Sequence, residues 1–93
     1  MITHEIYQCT VHYCGRVQGV GFRYQVLQIA KEFDVSGHVR NLVDGRVQLE
    51  AEGDPEEVQA FVREVEDRLD MYIRTTERVE GSQAPRHKGF IIC

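Results

Sequence analysis

The segment at residues 15–23 constrains the fold of this 93-residue chain most strongly, because it joins a strand-like run to a helix-like run through three glycines. Glycines at such a junction let the backbone adopt positive φ and turn its N–H groups into one concavity. The following helix adds unpaired N–H groups and the positive end of its dipole. Arg23 lies in the first turn of that helix, within reach of an anion held by the loop. The segment therefore predicts a phosphate-binding loop.

Two well-known phosphate-binding motifs do not match this segment. It lacks the Gly-Lys-Ser/Thr ending of a Walker P-loop. Gly19 and Gly21 resemble the start of a dinucleotide-binding fingerprint, but Tyr24 stands where the third glycine would fall, and no long βαβ unit follows. A tight strand-to-helix turn with a solvated arginine is the simpler alternative for the glycines taken alone.

The spacing of apolar residues predicts five strands and two amphipathic helices. Alternation predicts strands at residues 6–14, 35–42 and 47–52, with Glu50 and Glu52 facing outward in the third. A weaker pattern predicts a strand at residues 73–80, and residues 89–93 are predicted to form a short strand at a sheet edge. The first helix spans about three turns. The two apolar stripes are Phe22, Val26, Ile29, Ala30 and Phe33, and then Val58, Phe61, Val62, Val65 and Leu69.

Local signals mark several ends of these elements. Asp44 and Gly45 suit a two-residue type I′ turn. Asp54 is a good N-cap and Pro55 a good first helical residue, while residues 81–85 form a loop. The resulting order predicts an α+β fold, a ferredoxin-like βαββαβ sandwich with an antiparallel sheet and both helices on one face. We expect one domain over residues 1–93.

Composition excludes several classes of protein. A net charge of −4 argues against a nucleic-acid surface, and no apolar run approaches a membrane span. Residues 1–5 lack the features of a secretory signal, and three cysteines are an odd number, typical of free thiols in the cytoplasm. No Cys-x5-Arg loop activates a cysteine nucleophile. The four histidines lack metal-ligand spacing, so we expect surface histidines and no metal or other cofactor.

Two linked motifs resemble the acylphosphatase family. The run Gly-Arg-Val-Gln-Gly-Val-Gly-Phe-Arg at residues 15–23 is similar to the family signature G-x-V-Q-G-V-x-F-R. The segments Gly-His-Val-Arg-Asn at 37–41 and Asp-Gly-Arg-Val at 44–47 are similar to a second family pattern. Glu52-Gly53 and the final Phe90-Ile91-Ile92 follow in the family's order, so the resemblance covers nearly the whole chain.

The resemblance implies both a fold and a reaction. The fold is ferredoxin-like, and the reaction is hydrolysis of an acyl phosphate to a carboxylate and inorganic phosphate, without a cofactor. By the same resemblance, Arg23 binds the phosphate and Asn41 positions the attacking water. The implied phosphate-binding loop comprises Gly15, Arg16, Val17, Gln18, Gly19 and Val20.

The chain departs from the family pattern at two positions. His38 stands where the family usually has an aromatic residue, often Trp, and Val26 stands where it commonly has Thr. We expect His38 to lie on the strand face opposite Asn41, so that it changes packing more than chemistry. Because Val26 lacks the hydroxyl of threonine, it cannot make a hydrogen bond that would hold the loop.

Three alternatives belong to other classes of protein. The first is a non-catalytic module of the same fold that binds a phosphate or an acyl phosphate. The second, an RNA-binding sheet, requires aromatic residues on central strands, and residues 47–51 contain none. The third is the acylphosphatase-like domain of hydrogenase-maturation carbamoyltransferases, which are much longer chains. We expect a cytoplasmic monomer that acts on a small acyl phosphate, without nucleic-acid or membrane partners.

Overall fold

The computed structural model describes residues 4–93, which form five strands, two α-helices and one short 3-10 turn at Asp70–Tyr72. Residues 1–3 lie outside the described residues. The predicted domain includes them, and so does the segment 1–5 that lacks the features of a secretory signal. The elements in chain order are β1 (Ile6–Gly15), α1 (Phe22–Ala30), β2 (Val35–Asn41), β3 (Val47–Gly53), α2 (Pro55–Arg68), β4 (Ile73–Gln83) and β5 (Phe90–Ile92).

The five strands form one sheet in the order β4-β1-β3-β2-β5. The first four strands in this order pair antiparallel, which confirms the predicted ferredoxin-like arrangement. The fifth strand corrects the prediction of an antiparallel sheet, because β5 pairs parallel with β2. After β4 the chain crosses to the opposite sheet edge, where β5 pairs with the middle of β2, at residues 37–39, and runs in the same direction.

Both helices pack on one face of the sheet, as predicted. Val11 of β1 pairs with Leu49 of β3, which pairs with Val39 of β2, and all three side chains are fully buried. The helices add their apolar stripes to this layer. The helical members of the core are Phe22, Val26, Ile29, Ala30, Val58, Phe61, Val62 and Val65.

Helix α2 begins as the sequence predicts. The Asp54 carboxylate accepts a hydrogen bond from the backbone N–H of Glu56 at 2.9 Å, and Pro55 is the first helical residue. Helix α1 is shorter than predicted, because residues 31–33 leave the helix through i to i+3 hydrogen bonds. Phe33 therefore lies beyond the helix end, where its ring packs against Phe61 at a centroid distance of 5.9 Å.

The connection between β2 and β3 is not the predicted two-residue type I′ turn. Leu42 donates its backbone N–H to the carbonyl of Arg46, and Gly45 donates to the carbonyl of Leu42. Only Gly45 has positive φ there, at 96°, whereas a type I′ turn also needs positive φ at Asp44. The hairpin therefore has a three-residue loop, in which the glycine alone adopts the left-handed conformation.

Strand β4 is longer than predicted and reaches Gln83 instead of ending before Gly81. Its last residues pair with the first residues of β1, so that Gln83 lies opposite Ile6. The pattern did not reveal this extension because most of β4 is exposed on both faces. The last strand lies at a sheet edge, as predicted.

Glu52 differs from the predicted outward-facing residue, because it is only 1% exposed. Its side chain lies on the sheet face away from the helices, as strand alternation predicts. Residues 84–89 cross this face and bury it. The Glu52 carboxylate accepts hydrogen bonds from the backbone N–H groups of Arg86 and His87 and from the side chain of Gln83.

The cysteines in the described part of the chain are free thiols, as predicted. Cys9 is buried, whereas Cys14 and Cys93 are exposed. Burial raises the pKa of the Cys9 thiol to about 11, which keeps it protonated at neutral pH. No helix within residues 4–93 is long and apolar enough to cross a membrane.

Candidate active site

The loop between β1 and α1 leaves the sheet at a tightly packed glycine. Gly15 has φ 140°, and a Cβ there would lie 2.5 Å from the carbonyl oxygen of Tyr72. The next residue, Arg16, donates its backbone N–H to that oxygen at 2.9 Å. The close approach of the 3-10 turn that precedes β4 therefore requires glycine at position 15 and occupies the N–H of Arg16 within the protein.

Val17 and Gln18 fix the middle of the loop to the rest of the molecule. Val17 is 1% exposed and belongs to the core. The side-chain amide of Gln18 donates to the carbonyls of Leu42 and Arg46 at 2.8 and 3.0 Å. These carbonyls close the β2–β3 hairpin, so Gln18 ties the loop to the strand end that carries Asn41.

Backbone N–H groups of the loop lie beside the start of α1 and are available as hydrogen-bond donors. Gly19 and Gly21 have φ 79° and 78°, a conformation that glycine adopts without strain. Within residues 4–93, no hydrogen bond to a protein acceptor uses the backbone N–H groups of residues 17–20. Gly21 is the N-cap of α1, with no side-chain cap and no acidic residue in the first turn. The positive end of the helix dipole is therefore not neutralised locally.

Arg23 is the second residue of α1 and is half-buried. Its Nη1 donates to the backbone oxygen of Cys93 at 2.6 Å, immediately after β5. This contact uses one of five guanidinium donors, and it orients the fork beside the loop.

Asn41 ends β2 and pairs in register with Val47, which places it on the helix side of the sheet. Its side chain is exposed and lies in the same cleft as Arg23. This cleft has a volume of about 190 Å³, and no histidine, cysteine or carboxylate lies among the described residues that line it. The lining residues are Val17, Gly19, Gly21, Phe22, Arg23, Tyr24, Asn41 and Ile92.

The structure thus brings four of the predicted site residues together, namely Val17, Gly19, Arg23 and Asn41. The other four are not among the residues that line the cleft, although the backbone of Gln18 and Val20 belongs to the same loop as Val17 and Gly19. Gly15 and Arg16 line a different depression beside β4, Gln18 contacts the hairpin, and the half-buried Val20 packs against the core.

Sequence reasoning missed four residues that line the cleft: Gly21, Phe22, Tyr24 and Ile92. The first three flank Arg23 in sequence, so their position at the helix start was a usable signal. Ile92 had no such signal, because it reaches the cleft only through the parallel pairing of β5 with β2.

The two departures from the family pattern lie outside the cleft lining. Val26 is fully buried in the core. His38 pairs with Glu50, whereas Asn41 pairs with Val47, so the two side chains lie on opposite faces of the sheet, as expected.

Comparisons with known proteins give one consistent family. The sequence profile of the family named Acylphosphatase matches residues 9–92. An acylphosphatase of Hahella chejuensis is 39% identical over 82 residues, covering 85% of each chain. An acylphosphatase of Methanospirillum hungatei is 49% identical over 51 residues, which are 55% of this chain.

A solved structure adds the fold to this comparison. The crystal structure of acylphosphatase from Bacillus subtilis superimposes with a TM-score of 0.83 at 34% identity, covering 94% of this chain and 98% of that one. The matches to the curated relatives differ in extent. The chain spans little more than half the length of the Methanospirillum hungatei protein, namely 56%.

Proposed function

The chain belongs to the acylphosphatase family, and we propose that it hydrolyses acyl phosphates to a carboxylate and inorganic phosphate. One observation carries the proposal. Arg23 and Asn41, which come from separate elements, line one cleft together with a loop whose backbone N–H groups have no protein acceptor in residues 4–93.

The phosphate group binds between the loop and Arg23. Backbone N–H groups of residues 17–20 donate to its oxygens, and the start of α1 adds a favourable dipole. Arg16 is excluded from the backbone donors, because its N–H bonds the carbonyl of Tyr72. The remaining guanidinium donors of Arg23 form charge-assisted, bidentate hydrogen bonds with the phosphate.

Asn41 orients a water molecule for attack on the phosphorus. Its amide can donate to and accept from water, but it has no pKa that would allow it to act as a base. The leaving carboxylate is a weak base with a pKa of about 4, so it needs no general acid. The transition state of phosphoryl transfer is loose, with charge on the equatorial oxygens that the loop and Arg23 hold. A phosphate oxygen then takes the proton of the water.

The acyl group lies at the open side of the cleft. Tyr24 is 61% exposed there and Ile92 is 37% exposed, and both line the cleft. These side chains give mainly apolar contact, and neither carries a charge that would select one acyl structure. The proposed enzyme therefore accepts several acyl phosphates and recognises chiefly their phosphate.

The cellular setting is part of the same proposal. Free thiols are typical of a reducing compartment, and we place the protein in the cytoplasm as a monomer. Light scattering of the purified chain tests the monomer, and a mass near 10.8 kDa is expected.

Hydrolysis of benzoyl phosphate at neutral pH with EDTA tests the proposed reaction. We expect turnover by the wild type and a loss on the order of 100-fold or more in Arg23→Ala. Arg40→Ala is the matched control, because Arg40 lies beside Asn41 in β2 but bonds Gln48 on the opposite face. Absence of turnover in a folded wild type would instead support the non-catalytic binding module.

A further inference from the structure

Three side chains that could bind a metal ion meet on the sheet face opposite the helices. They are His38 of β2, Glu50 of β3 and His87 of the segment that crosses that face at residues 84–89. One candidate ligand atom from each residue lies within 4.8 Å of those of the other two, and all three residues are half-buried. The prediction of surface histidines without a metal-ligand arrangement is therefore wrong for His38 and His87. Their sequence spacing carries no signal, because three separate segments supply the ligands.

Contacts within the group are already close. His87 Nε2 lies 2.5 Å from Glu50 Oε2, and the rings of His38 and His87 have centroids 5.4 Å apart. In a tetrahedral zinc site, bonds of about 2.0–2.2 Å place neighbouring ligand atoms roughly 3.3 Å apart. Small side-chain rotations therefore separate the His87–Glu50 pair enough to admit an ion, without movement of the strands.

The buried Glu52 holds His87 in place. Its carboxylate accepts the backbone N–H of His87 at 2.7 Å and that of Arg86 at 2.9 Å. On the far side, Gly89 accepts a hydrogen bond from the backbone N–H of Gly37 at 3.0 Å. The crossing segment is thus fixed to β3 and β2, on either side of His87. An ion would meet ligands that the fold has already ordered.

Hydrogen bonds also orient His38, and the local charge suits a cation. His38 Nε2 lies 3.2 Å from Gln48 Oε1, which also accepts from Arg40. Burial raises the pKa of Glu50, but the hydrogen bond and charge of His87 and the charges of His38 and Arg86 outweigh burial and lower it. Glu50 is therefore ionised at neutral pH. The nearby Arg86 guanidinium opposes a cation at this site.

We propose that His38, Glu50 and His87 form a binding site for one zinc-like divalent ion, with a water molecule as the fourth ligand. Two imidazoles and one carboxylate are a ligand set that zinc accepts. Magnesium and calcium prefer sites made only of oxygen ligands, so they do not suit this one. None of the three residues lines the cleft of Arg23 and Asn41, so the site is independent of the proposed hydrolysis.

Zinc binding would connect β2, β3 and the crossing segment. Because the ligands converge only in the folded chain, binding favours the native state and raises the midpoint of thermal unfolding. The stabilised segment leads into β5, which contributes Ile92 to the cleft.

Calorimetric titration of the purified protein with zinc tests this site. The background is Cys14→Ser with Cys93→Ser, which removes both exposed thiols as competing ligands. We expect one zinc ion per chain, and binding at least about tenfold weaker in either His38→Gln or His87→Gln. His12→Gln is the matched control, because His12 lies on the same face and contacts Gln48 but not the three ligands.

A second measurement guards against a variant that does not fold. Zinc should raise the unfolding midpoint of the parent and of His12→Gln, and it should leave that of His38→Gln and His87→Gln unchanged. Magnesium at the same concentration should shift none of them. Absence of saturable zinc binding in the parent, or zinc binding in both ligand variants as tight as in the parent, would overturn the proposal and leave only the hydrogen bond between His87 and Glu50.

Discussion

Arg23 and Asn41 offer different chemistry to a bound phosphate. The guanidinium of Arg23 carries a permanent charge and several donors in one plane, and its contact with the Cys93 backbone oxygen fixes its direction. The amide of Asn41 is neutral and comes from the end of β2. In the mechanism that we propose, charge stabilisation therefore depends on α1, while water positioning depends on the sheet.

The pH profile of turnover follows from these two residues. An amide has no acid–base chemistry near neutrality, arginine side chains stay charged in proteins, and no histidine or carboxylate lies among the described lining residues. We therefore expect kcat for benzoyl phosphate to change little between about pH 6 and 8, where histidine would titrate. A sigmoidal profile with a midpoint near 6.5 would contradict proton transfer to a phosphate oxygen and would indicate a histidine in the reaction.

At the scale of elements, the site depends on how the loop, α1 and the β2–β3 hairpin are joined. Gln18 makes this connection through the carbonyls of Leu42 and Arg46. It therefore couples the position of the loop N–H groups to the position of Asn41. The connection has no direct role in the proposed chemistry.

Gln18→Ala tests this coupling. Removing two partly buried hydrogen bonds should lower the free energy of unfolding by about 1–2 kcal/mol. It should also raise KM for benzoyl phosphate, because the loop donors lose their fixed geometry. Gln25→Ala, on the exposed side of α1, is the matched control. Equal kinetics in the two variants would show that the loop keeps its shape without the hairpin.

Local sequence signals predicted much of the element structure. The N-cap at Asp54 and the alternation in β1 and β3 depend on neighbours within a few residues, so one sequence reveals them. The three-residue hairpin loop was missed because Asp-Gly suits both a type I′ turn and a loop with one left-handed glycine. The parallel β5 and the burial of Glu52 were missed because both depend on where a later segment crosses the sheet.

At the level of the whole molecule, contacts between segments that are distant in sequence determine which side chains meet in the cleft and on the opposite sheet face. Arg23 and Asn41 were predicted through the family motif, and the structure brings them to one cleft. The meeting of His38, Glu50 and His87 could not be predicted in this way, because three segments must first take their places in the sheet. Zinc bound at the proposed site would fix the crossing segment to β2 and β3 and so raise the stability of the whole molecule.

Acid should destabilise the whole molecule partly through Glu50. Its pKa in the folded chain lies below the ordinary value of 4.5, because the contact with His87 outweighs burial. The unfolded chain therefore binds more protons near that pH, and the stability that Glu50 contributes is lost as pH falls through the folded pKa. Glu50→Gln should flatten the decline in the free energy of unfolding below about pH 4.5. Denaturant titrations from pH 3 to 7 measure the free energy of unfolding of the two proteins. If it declines equally steeply in Glu50→Gln and in the wild type, the contribution of Glu50 is contradicted.

We propose that one cleft binds phosphate through Arg23 and positions water through Asn41. The most direct test measures kcat for benzoyl phosphate and the inhibition constant of inorganic phosphate, with EDTA, in wild type, Arg23→Ala and Asn41→Ala. We predict that Arg23→Ala loses both turnover and phosphate binding, whereas Asn41→Ala loses turnover and keeps phosphate binding. An Asn41→Ala variant that binds phosphate weakly but turns over normally would contradict the proposed role of Asn41.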